Sequence, residues 1–295
     1  MLEFKEVKLS DKQWARELLS YSGYRGCEYT FGNNYIWQCV YGTKIARYKD
    51  FYLLKSGGGY FFPAGRGDFC DAVNILQKDA EENNQPFTFV TMNQASKLWL
   101  EENFPDKFTF STDRGFYDYV YHFCDLAELK GKQYHSKRNF INRFNMYNNK
   151  CYEPITPRNI EECARMSECW LKENSTHNQN NDTNSLESEG CVVKKGLESF
   201  FELDFSGGLL RVDGEVAAFT FGEEVTKDTF VVHAEKAFTR IQGAYPAINN
   251  CFVKNACCGY TYINREEDMG LENLRKAKMS YHPAFLEEKF KAKLL

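Results

Sequence analysis

The sequence has no uninterrupted apolar stretch of about 18 residues, so it predicts no membrane-spanning helix. Its first residues lack the basic-then-apolar order of a secretory signal, and we therefore expect a cytoplasmic protein. No Cys-x-x-Cys pair occurs and the five histidines are scattered, so the ligand spacing of a zinc site is missing. The eleven cysteines are dispersed and odd in number. We expect them to be reduced, and we expect no bound metal.

Several catalytic motifs are missing as well. The sequence contains no GxSxG nucleophile elbow, no P-loop, no dinucleotide fingerprint and no HExxH metalloprotease motif. A net charge of −4 argues against strong non-specific binding of nucleic acid by the whole molecule. The charge is nevertheless uneven, because the window from 130 to 150 has no acidic residue. Its bases are Lys130, Lys132, Lys137, Arg138, Arg143 and Lys150.

The pattern that is present indicates a mixed α/β fold. With 295 residues, 43% of them hydrophobic and 16% aromatic, the chain is long enough for two domains with sizeable cores. We place the domains at 1–125 and 126–295. Periodicity predicts the following helices: 11–22, one containing Phe31 to Trp37, 69–82, 94–103, 133–148, 157–173, one ending near 204, 243–256 and 271–278. It predicts strands at 45–48, 51–55, 59–63, 87–91, 108–111, 208–212, 215–222, 229–235 and 260–264, and an extended segment at 285–291.

Two local signals refine this pattern. Asp213-Gly214 is a typical hairpin turn between two of the predicted strands. The polar, asparagine-rich run 173–190 favours a loop. The order strand, helix, strand, helix, which begins at 59–63 in the first half, recurs from 229–235 in the second. The two halves therefore look like copies of one architecture.

The segment after the third strand of the second half is a candidate anion site. Gly243 and Ala244 begin a helix, whose N-terminus attracts negative charge, and Arg240 and Gln242 precede it. A glycine at a helix start is also a common structural turn. The arrangement resembles the coenzyme-A loop of GCN5-related N-acetyltransferases (GNATs), which usually reads Q/R-x-x-G-x-G/A. Tyr245 departs from the last position of that pattern.

A second resemblance covers nearly the whole chain. It rests on the segments FGNNYIW (31–37), KGKQYHSKRN (130–139) and NREEDMG (264–270), continued through 276–278. These resemble an uncharacterised bacterial family similar to the catalytic domain of phosphatidylglycerol lysyltransferases and, more distantly, to the Fem aminoacyltransferases. The resemblance implies two tandem GNAT-like domains, each a mixed, mostly antiparallel sheet flanked by helices. It also implies transfer of an aminoacyl group from a charged tRNA. The membrane-spanning part of those relatives is not expected here, so a lipid acceptor is not implied.

Candidate catalytic residues lie on the strand before the loop. His233 and Glu235 alternate there, so we expect them to share one face, where a carboxylate beside a histidine can act as a general base. An interior histidine paired with a glutamate is the alternative. Tyr281 is a third candidate, because it follows Lys278 and precedes His282 in an irregular segment.

Candidate substrate-binding residues come from two places. Asn264, Glu266 and Glu267 follow a strand end, where ligands gather in α/β folds, whereas Asp268 has an alternative role as a helix cap. Lys137 and Arg138 lie in the basic window and are candidates for contacting phosphates. A solvated helix with Phe140, Ile141 and Phe144 buried is the alternative.

Two functions follow from these observations. The first is direct transfer of an acyl or aminoacyl group, from acyl-CoA or aminoacyl-tRNA, to an amine acceptor. The second is a non-catalytic GNAT-like module that binds a nucleotide or RNA, or that regulates another protein. The sequence does not indicate an oligomeric state.

Overall fold

A computed structural model describes residues 2–147, 149–177 and 183–295 of the chain. Within these residues it contains the helices α1 (Lys12–Ser20), α2 (Phe31–Tyr41), α3 (Phe69–Glu82), α4 (Gln94–Asn103), α5 (Phe123–Glu128), α6 (His135–Phe144), α7 (Ile160–His177), α8 (Thr183–Glu198), α9 (Ala244–Ala256) and α10 (Glu272–Met279). The strands are β1 (Lys5–Glu6), β2 (Lys44–Tyr48), β3 (Phe51–Ser56), β4 (Gly59–Phe61), β5 (Ala64–Gly65), β6 (Thr88–Met92), β7 (Phe108–Thr112), β8 (Asp118–His122), β9 (Lys150–Pro154), β10 (Ser206–Val212), β11 (Glu215–Thr226), β12 (Thr229–Ala237), β13 (Tyr262–Asn264), β14 (Phe285–Glu287) and β15 (Phe290–Leu294).

The chain forms two compact units that interleave in sequence. The first comprises Met1–Tyr119, Glu266–Arg275 and Leu286–Leu295, and the second comprises Val120–Arg265 and Lys276–Phe285. The contiguous domain division expected from the sequence, 1–125 and 126–295, stays a prediction. The strand pairing adds one fact to it, because β15, from the C-terminal end, pairs with β6 and β7.

The first unit is built on a mixed, mostly antiparallel sheet. Its strand order is β1-β2-β3-β4-β6-β15-β7, with β5 paired to β3. The parallel pair is β4 with β6, which α3 connects. Phenylalanine and tyrosine rings from the strands pack against the buried face of α3 and form the core, which includes Phe51, Tyr60, Phe62, Phe87 and Phe89.

Side-chain caps fix where the helices of this unit begin. Asp68 accepts a hydrogen bond from the backbone N–H of Asp71 at the start of α3. Asn93 accepts one from Ser96 at the start of α4 in the same way. Each cap satisfies one N–H that has no partner within its helix. The first residues of α3 and α4 agree with those predicted from periodicity.

The second unit contains most of the other sheet, whose strand order is β14-β8-β13-β12-β11-β10-β9. Asp213 and Gly214 both have positive φ, 51° and 87°, in the tight turn between β10 and β11. This confirms the predicted hairpin. The parallel pair here is β12 with β13, which α9 connects. The strand-helix-strand unit of the first sheet is therefore repeated, as the sequence predicted.

Some predicted elements differ from the structure. The segment 173–190 is mostly helical where it is described, since α7 extends to His177 and α8 begins at Thr183. The centre of the predicted loop, 178–182, lies outside the described residues, as does Asn148 at the end of another predicted helix. Strands β1, β5, β8 and β9 and helix α5 had no counterpart in the prediction. Among the residues that the structure describes, no helix is long and apolar enough to span a membrane.

Candidate active site

A polar cluster in the second unit brings together three side chains that are distant in sequence. Glu235, near the end of β12, accepts a hydrogen bond through Oε2 from Asn249 Nδ2 of α9 at 2.9 Å. Its Oε1 accepts one from Arg265 Nη2, also at 2.9 Å. Arg265 follows β13 directly, and the parallel pairing of β12 with β13 places these strands side by side. Both Glu235 and Arg265 are largely buried, with side chains 12% and 13% exposed.

Two atoms of this cluster lack a partner. Arg265 Nη1 and Asn249 Oδ1 are buried and, among the described residues, make no hydrogen bond. Leaving a buried donor and a buried acceptor unsatisfied costs about 1–3 kcal/mol each. One is a donor and the other an acceptor, and both belong to residues that contact the same carboxylate. A ligand that offers an acceptor to Arg265 Nη1 and a donor to Asn249 Oδ1 would satisfy both atoms.

Lys137 and Tyr281 complete the cluster. The Lys137 ammonium of α6 lies 3.9 Å from the centre of the Tyr281 ring, and the Arg265 guanidinium lies 4.7 Å from the same centre. Burial, with a smaller contribution from Arg265, lowers the pKa of Lys137 to about 8, against the opposing effect of Glu235. Burial raises the pKa of the Tyr281 hydroxyl. Glu235, Lys137 and Tyr281, all candidates from the sequence, therefore converge on one place.

The alternation of residues along the strand had predicted that His233 and Glu235 share one face of the sheet. The structure shows that they do not. In the pairing of β11 with β12, Phe221 lies opposite Ala234 and Gly222 opposite Val232, so His233 is the extra residue of a β-bulge. A bulge turns the following side chains relative to those before it. The His233 ring packs 5.4 Å from Phe205, its Nε2 lies 3.0 Å from Glu223 Oε1, and its side chain is 0% exposed. The geometry matches the alternative reading, an interior histidine paired with a glutamate.

The loop of the candidate anion site, 240–244, is present, and much of its polar backbone is already hydrogen-bonded. Gly243 has φ of +83° and precedes α9, and a Cβ there would lie 2.0 Å from the Phe140 carbonyl oxygen, so only glycine fits. The N–H of Gln242 donates to the Tyr147 hydroxyl, and the N–H of Ala244 donates to the Ile241 carbonyl. These two N–H groups are therefore not free to bind a pyrophosphate.

The side chains around this loop also have protein partners. Arg240 pairs with Glu173 and stacks on the Phe238 ring at 3.7 Å. The Tyr245 hydroxyl accepts a hydrogen bond from Trp170 Nε1 at 3.2 Å, and burial raises its pKa to about 12. The tyrosine that departs from the GNAT pattern is thus packed inside the unit.

The remaining candidates of the second unit have different surroundings. Arg138 donates to the carbonyls of Leu129 and Gly131, where α5 ends, and lines a cleft of about 380 Å³ together with His135 and Lys254. Asn264 is 0% exposed, at the end of β13. In the predicted apolar stripe of α6, Phe144 is buried but Phe140 is 42% exposed.

Glu266 and Glu267 belong to the first unit and not to the cluster around Glu235. Glu266 accepts a hydrogen bond from Asn33 Nδ2 at 3.3 Å. Glu267 lies in a second buried cluster, with its Oε2 3.8 Å from Cys27 Sγ. The Lys289 ammonium is at the centre, 2.7 Å from Asp118 Oδ1, 2.8 Å from Glu28 Oε2 and 3.6 Å from Cys27 Sγ.

This second cluster has the residue types of a metal site. One ligand atom each from Cys27, Asp118 and Glu267 lie within 4.8 Å of one another. The Lys289 ammonium already supplies a positive charge among them, and it contacts both Asp118 and Cys27. Burial of a divalent cation at the same place would put two positive charges within a few ångströms of each other. The residues therefore fit a buried lysine better than a metal ion, and the absence of a metal stays a prediction.

Substituting Glu267 by glutamine should remove a pH-dependent loss of stability. Burial, together with Asp118 and Glu266, raises the pKa of Glu267 to about 7, against the effect of Lys289. The folded protein therefore holds this proton more tightly than the unfolded chain. The resulting stabilisation is complete below about pH 4.5 and is lost as the pH rises through about 7. We expect E267Q to be more stable than the parent chain by about 3 kcal/mol at alkaline pH and equally stable at acid pH.

Urea unfolding at a series of pH values would measure this difference. Glu288, an exposed neighbour of the cluster residue Lys289, provides the control: E288Q should track the parent chain at every pH. A constant difference between E267Q and the parent across the series would contradict the assignment.

Comparison with known proteins agrees with this architecture. Residues 20–293 match the family model described as phosphatidylglycerol lysyltransferase, C-terminal. The chain belongs to that family. The fold can therefore be compared with that of other members of the phosphatidylglycerol lysyltransferase C-terminal family. The resemblance to these proteins that was stated from the sequence is confirmed. No functionally curated protein matches the chain in sequence.

Solved structures extend the comparison. The chain is 39% identical to a conserved protein of unknown function from Bacteroides thetaiotaomicron, with a TM-score of 0.93 and 100% of each chain covered. It is 14% identical to L-PGS from Bacillus licheniformis, with a TM-score of 0.67, covering 98% of this chain and 93% of that one. It is 9% identical to FemX, with a TM-score of 0.58, covering 99% and 97%. These likenesses confirm the tandem GNAT-like fold predicted from the sequence.

Sequence reasoning about this family member missed six residues of the two clusters: Arg265, Asn249, Lys289, Cys27, Asp118 and Glu28. Arg265 was noticed only as part of a charged run, and Asn249 and Lys289 were not singled out. Arg265 carried a usable signal, since it directly follows a predicted strand end. Asn249 lies on a helix that reads as apolar, and its role depends on the partner strand. Nothing near Lys289 in sequence marks it as buried.

Proposed function

We propose that the chain is an aminoacyltransferase that moves an aminoacyl group from a tRNA ester to an amine acceptor. Membership of the lysyltransferase family and likeness to the folds of L-PGS and FemX support transfer of this kind. The identity of the amino acid and that of the acceptor amine are not part of the proposal. A charged tRNA as donor would place the reaction in the cytoplasm.

The observation that carries the proposal is the unsatisfied pair in the cluster around Glu235. An aminoacyl ester has a carbonyl oxygen, which accepts, and an α-ammonium on the carbon next to the carbonyl carbon, which donates. Arg265 Nη1 offers a donor for that oxygen, and Asn249 Oδ1 offers an acceptor for the ammonium. The Glu235 carboxylate next to both adds attraction for the positive charge. A plain acyl group has no ammonium and would leave Asn249 Oδ1 unsatisfied.

The loop before α9 also favours aminoacyl-tRNA over acyl-CoA as the donor. In the GNAT pattern this loop presents N–H groups to a pyrophosphate, but here those of Gln242 and Ala244 are used internally. A tRNA donor needs no such cradle, because its phosphates can be contacted by exposed basic side chains. The window from 130 to 150 supplies them, with Lys132 and Arg143 on the surface.

Each residue of the cluster then has a role in the proposed reaction. Arg265 polarises the donor carbonyl and stabilises the negative charge that develops on its oxygen. Glu235 holds Arg265 and Asn249 in position through its two oxygens. Tyr281 packs beneath the cations of Lys137 and Arg265 and keeps water away from them. His233, paired with Glu223, has a supporting place in the sheet.

Binding of small analogues tests the recognition step. Alaninamide carries the carbonyl and the α-ammonium of an aminoacyl ester, whereas propionamide carries the carbonyl alone. We expect a panel of amino acid amides that includes alaninamide to raise the melting temperature, and propionamide to leave it unchanged. Asn249→Ala should weaken amide binding about 10–100-fold, because the lost hydrogen bond is to a charged group.

The matched control is Asn255→Ala, which changes an exposed asparagine of the same helix and should bind amides normally. Transfer itself is measured with tRNA charged with a labelled amino acid, incubated with a series of amines. Equal binding of alaninamide and propionamide, or stabilisation by acetyl-CoA, would contradict the aminoacyl assignment and point to an acyl-CoA donor.

A non-catalytic binding module is the second candidate, and one observation favours it. Tyr245 fills the place that is small in GNAT loops and is hydrogen-bonded to Trp170. A loop closed in this way suits a domain that holds RNA or a nucleotide without turning it over. Binding of charged tRNA without transfer to any amine would favour this candidate.

A further inference from the structure

The proposed reaction needs a proton acceptor, and the Glu235 carboxylate is poorly placed for that role. An amine that attacks a carbonyl becomes positively charged and must lose a proton to a nearby base. Both oxygens of Glu235 already accept hydrogen bonds, one from Asn249 and one from the cationic Arg265. We therefore assign Glu235, a catalytic candidate from the sequence, the role of a positioning residue.

Lys137 has the surroundings that such a base requires. Its Nζ contacts the face of the Tyr281 ring, and no hydrogen bond or ion pair ties it to another described residue. The charged and titratable groups that face it are Arg265 after β13, Glu235 on β12 and Tyr281 after α10. Arg265 repels a second positive charge, and burial removes water that would solvate it. With a pKa of about 8, about a tenth of the Lys137 amine is uncharged at neutral pH.

We propose that the uncharged Lys137 amine accepts the proton from the attacking nitrogen of the acceptor, a role that rests on the proposed aminoacyl transfer. The acceptor nitrogen forms a bond to the donor carbonyl carbon. Lys137 Nζ takes one proton from that nitrogen and becomes an ammonium. When the carbon–oxygen bond to the tRNA ribose breaks, its electron pair goes to the ribose oxygen, and the same proton is returned to it. Lys137 ends the cycle uncharged, and no further reactant is needed.

Two substitutions separate this role from a purely electrostatic one. Methionine at 137 keeps the length of the side chain and has no base, and arginine keeps the positive charge but does not lose its proton. We expect both K137M and K137R to reduce kcat/KM about 10²–10⁴-fold, the usual contribution of general acid–base catalysis. Both should bind amino acid amides, because Arg265 and Asn249 are unchanged. K137R with near-normal activity would overturn the proposal, since charge alone would then suffice.

The pH profile provides a readout that a structural role would not change. With methoxyamine as acceptor, which is uncharged throughout the range, the parent kcat/KM should rise with pH and level off above about 8. The residual rates of K137M and K137R should lack that rise. Lys107→Met, at an exposed position of the first unit, should retain the parent profile. A parent profile that is flat, or a rise that persists in K137M, would overturn the proposal.

Lys137 can also be titrated without any substrate. Trace labelling with acetic anhydride across a pH series, read by peptide mass spectrometry, gives the pKa of each lysine in one sample. We expect Lys137 to titrate well below Lys107. A Lys137 that titrates like Lys107 would overturn this inference even if transfer is observed. Conversely, absence of transfer in the parent chain would overturn the proposed function but would not change the measured pKa of Lys137. Failure of the proposed function can therefore be distinguished from failure of the role proposed for Lys137.

Discussion

Replacing Lys289 by methionine should lower the free energy of unfolding by about 3–5 kcal/mol, the cost of breaking a buried ion pair by removing one partner. Lys289 is 11% exposed, and its ammonium contacts Asp118, which is 0% exposed, and Glu28, which is 11% exposed. Neither carboxylate can regain water without opening the unit. Burial lowers the pKa of Lys289, but its acidic neighbours raise that pKa by more, so it lies well above its usual range. The Lys289 ammonium is therefore fully charged at neutral pH.

Chemical denaturation at neutral pH would measure this loss. The control is Lys293→Met on β15, which changes an exposed lysine and should cost little. Adding Asp118→Asn to K289M removes one of the two stranded charges and should restore part of the stability. If K289M were as stable as K293M, the ammonium would not be the group that holds these carboxylates in the folded chain.

Replacing Arg265 by methionine should reduce aminoacyl transfer about 10²–10³-fold, the range for loss of one donor that stabilises a developing oxyanion. The Nη1 atom has no partner among the described residues, so it is the donor available to a substrate oxygen. The same substitution leaves Glu235 buried without its cation, so the chain should also lose stability. The expected measurement is single-turnover transfer from charged tRNA.

The double variant R265M/E235Q separates the two effects. Glutamine at 235 removes the stranded charge, so folding stability should recover while transfer stays low. Transfer that recovered together with stability would show that Arg265 acts only as a partner for Glu235, and the proposed polarising role would be wrong. Unfolding curves and transfer rates measured on the same preparations provide both readouts.

Most of the fold was predictable because it depends on short-range patterns. The start of α3 follows from Asp68 and the apolar period after it, and the hairpin at Asp213-Gly214 follows from a turn that needs positive φ. The repeated strand-helix-strand order needed only these elements in sequence. The bulge at His233 was not predictable in this way, because it depends on the register with β11, which shifts between Phe221 and Gly222. Simple alternation therefore assigned His233 to the wrong face.

The two polar clusters show the limit more clearly. Glu235 and Lys137 were identified because each stands out locally, one before a loop and the other in an acid-free window. The role of Asn249, which donates to Glu235, depends on how α9 lies on the sheet. The cluster around Lys289 draws on Cys27, Asp118 and Glu267, which are far apart in the chain. No local pattern of residues reports that kind of proximity.

The position of β15 also has a consequence for the order of events during synthesis. The ribosome makes β6 and β7 early, but the strand that lies between them in the sheet is made only after the whole second unit has been translated. Until then the facing edges of β6 and β7 have unpaired N–H and C=O groups, which are templates for pairing with other chains. The nascent chain therefore passes through a stage in which its first sheet is incomplete, and protection of these edges by a chaperone would matter most at that stage.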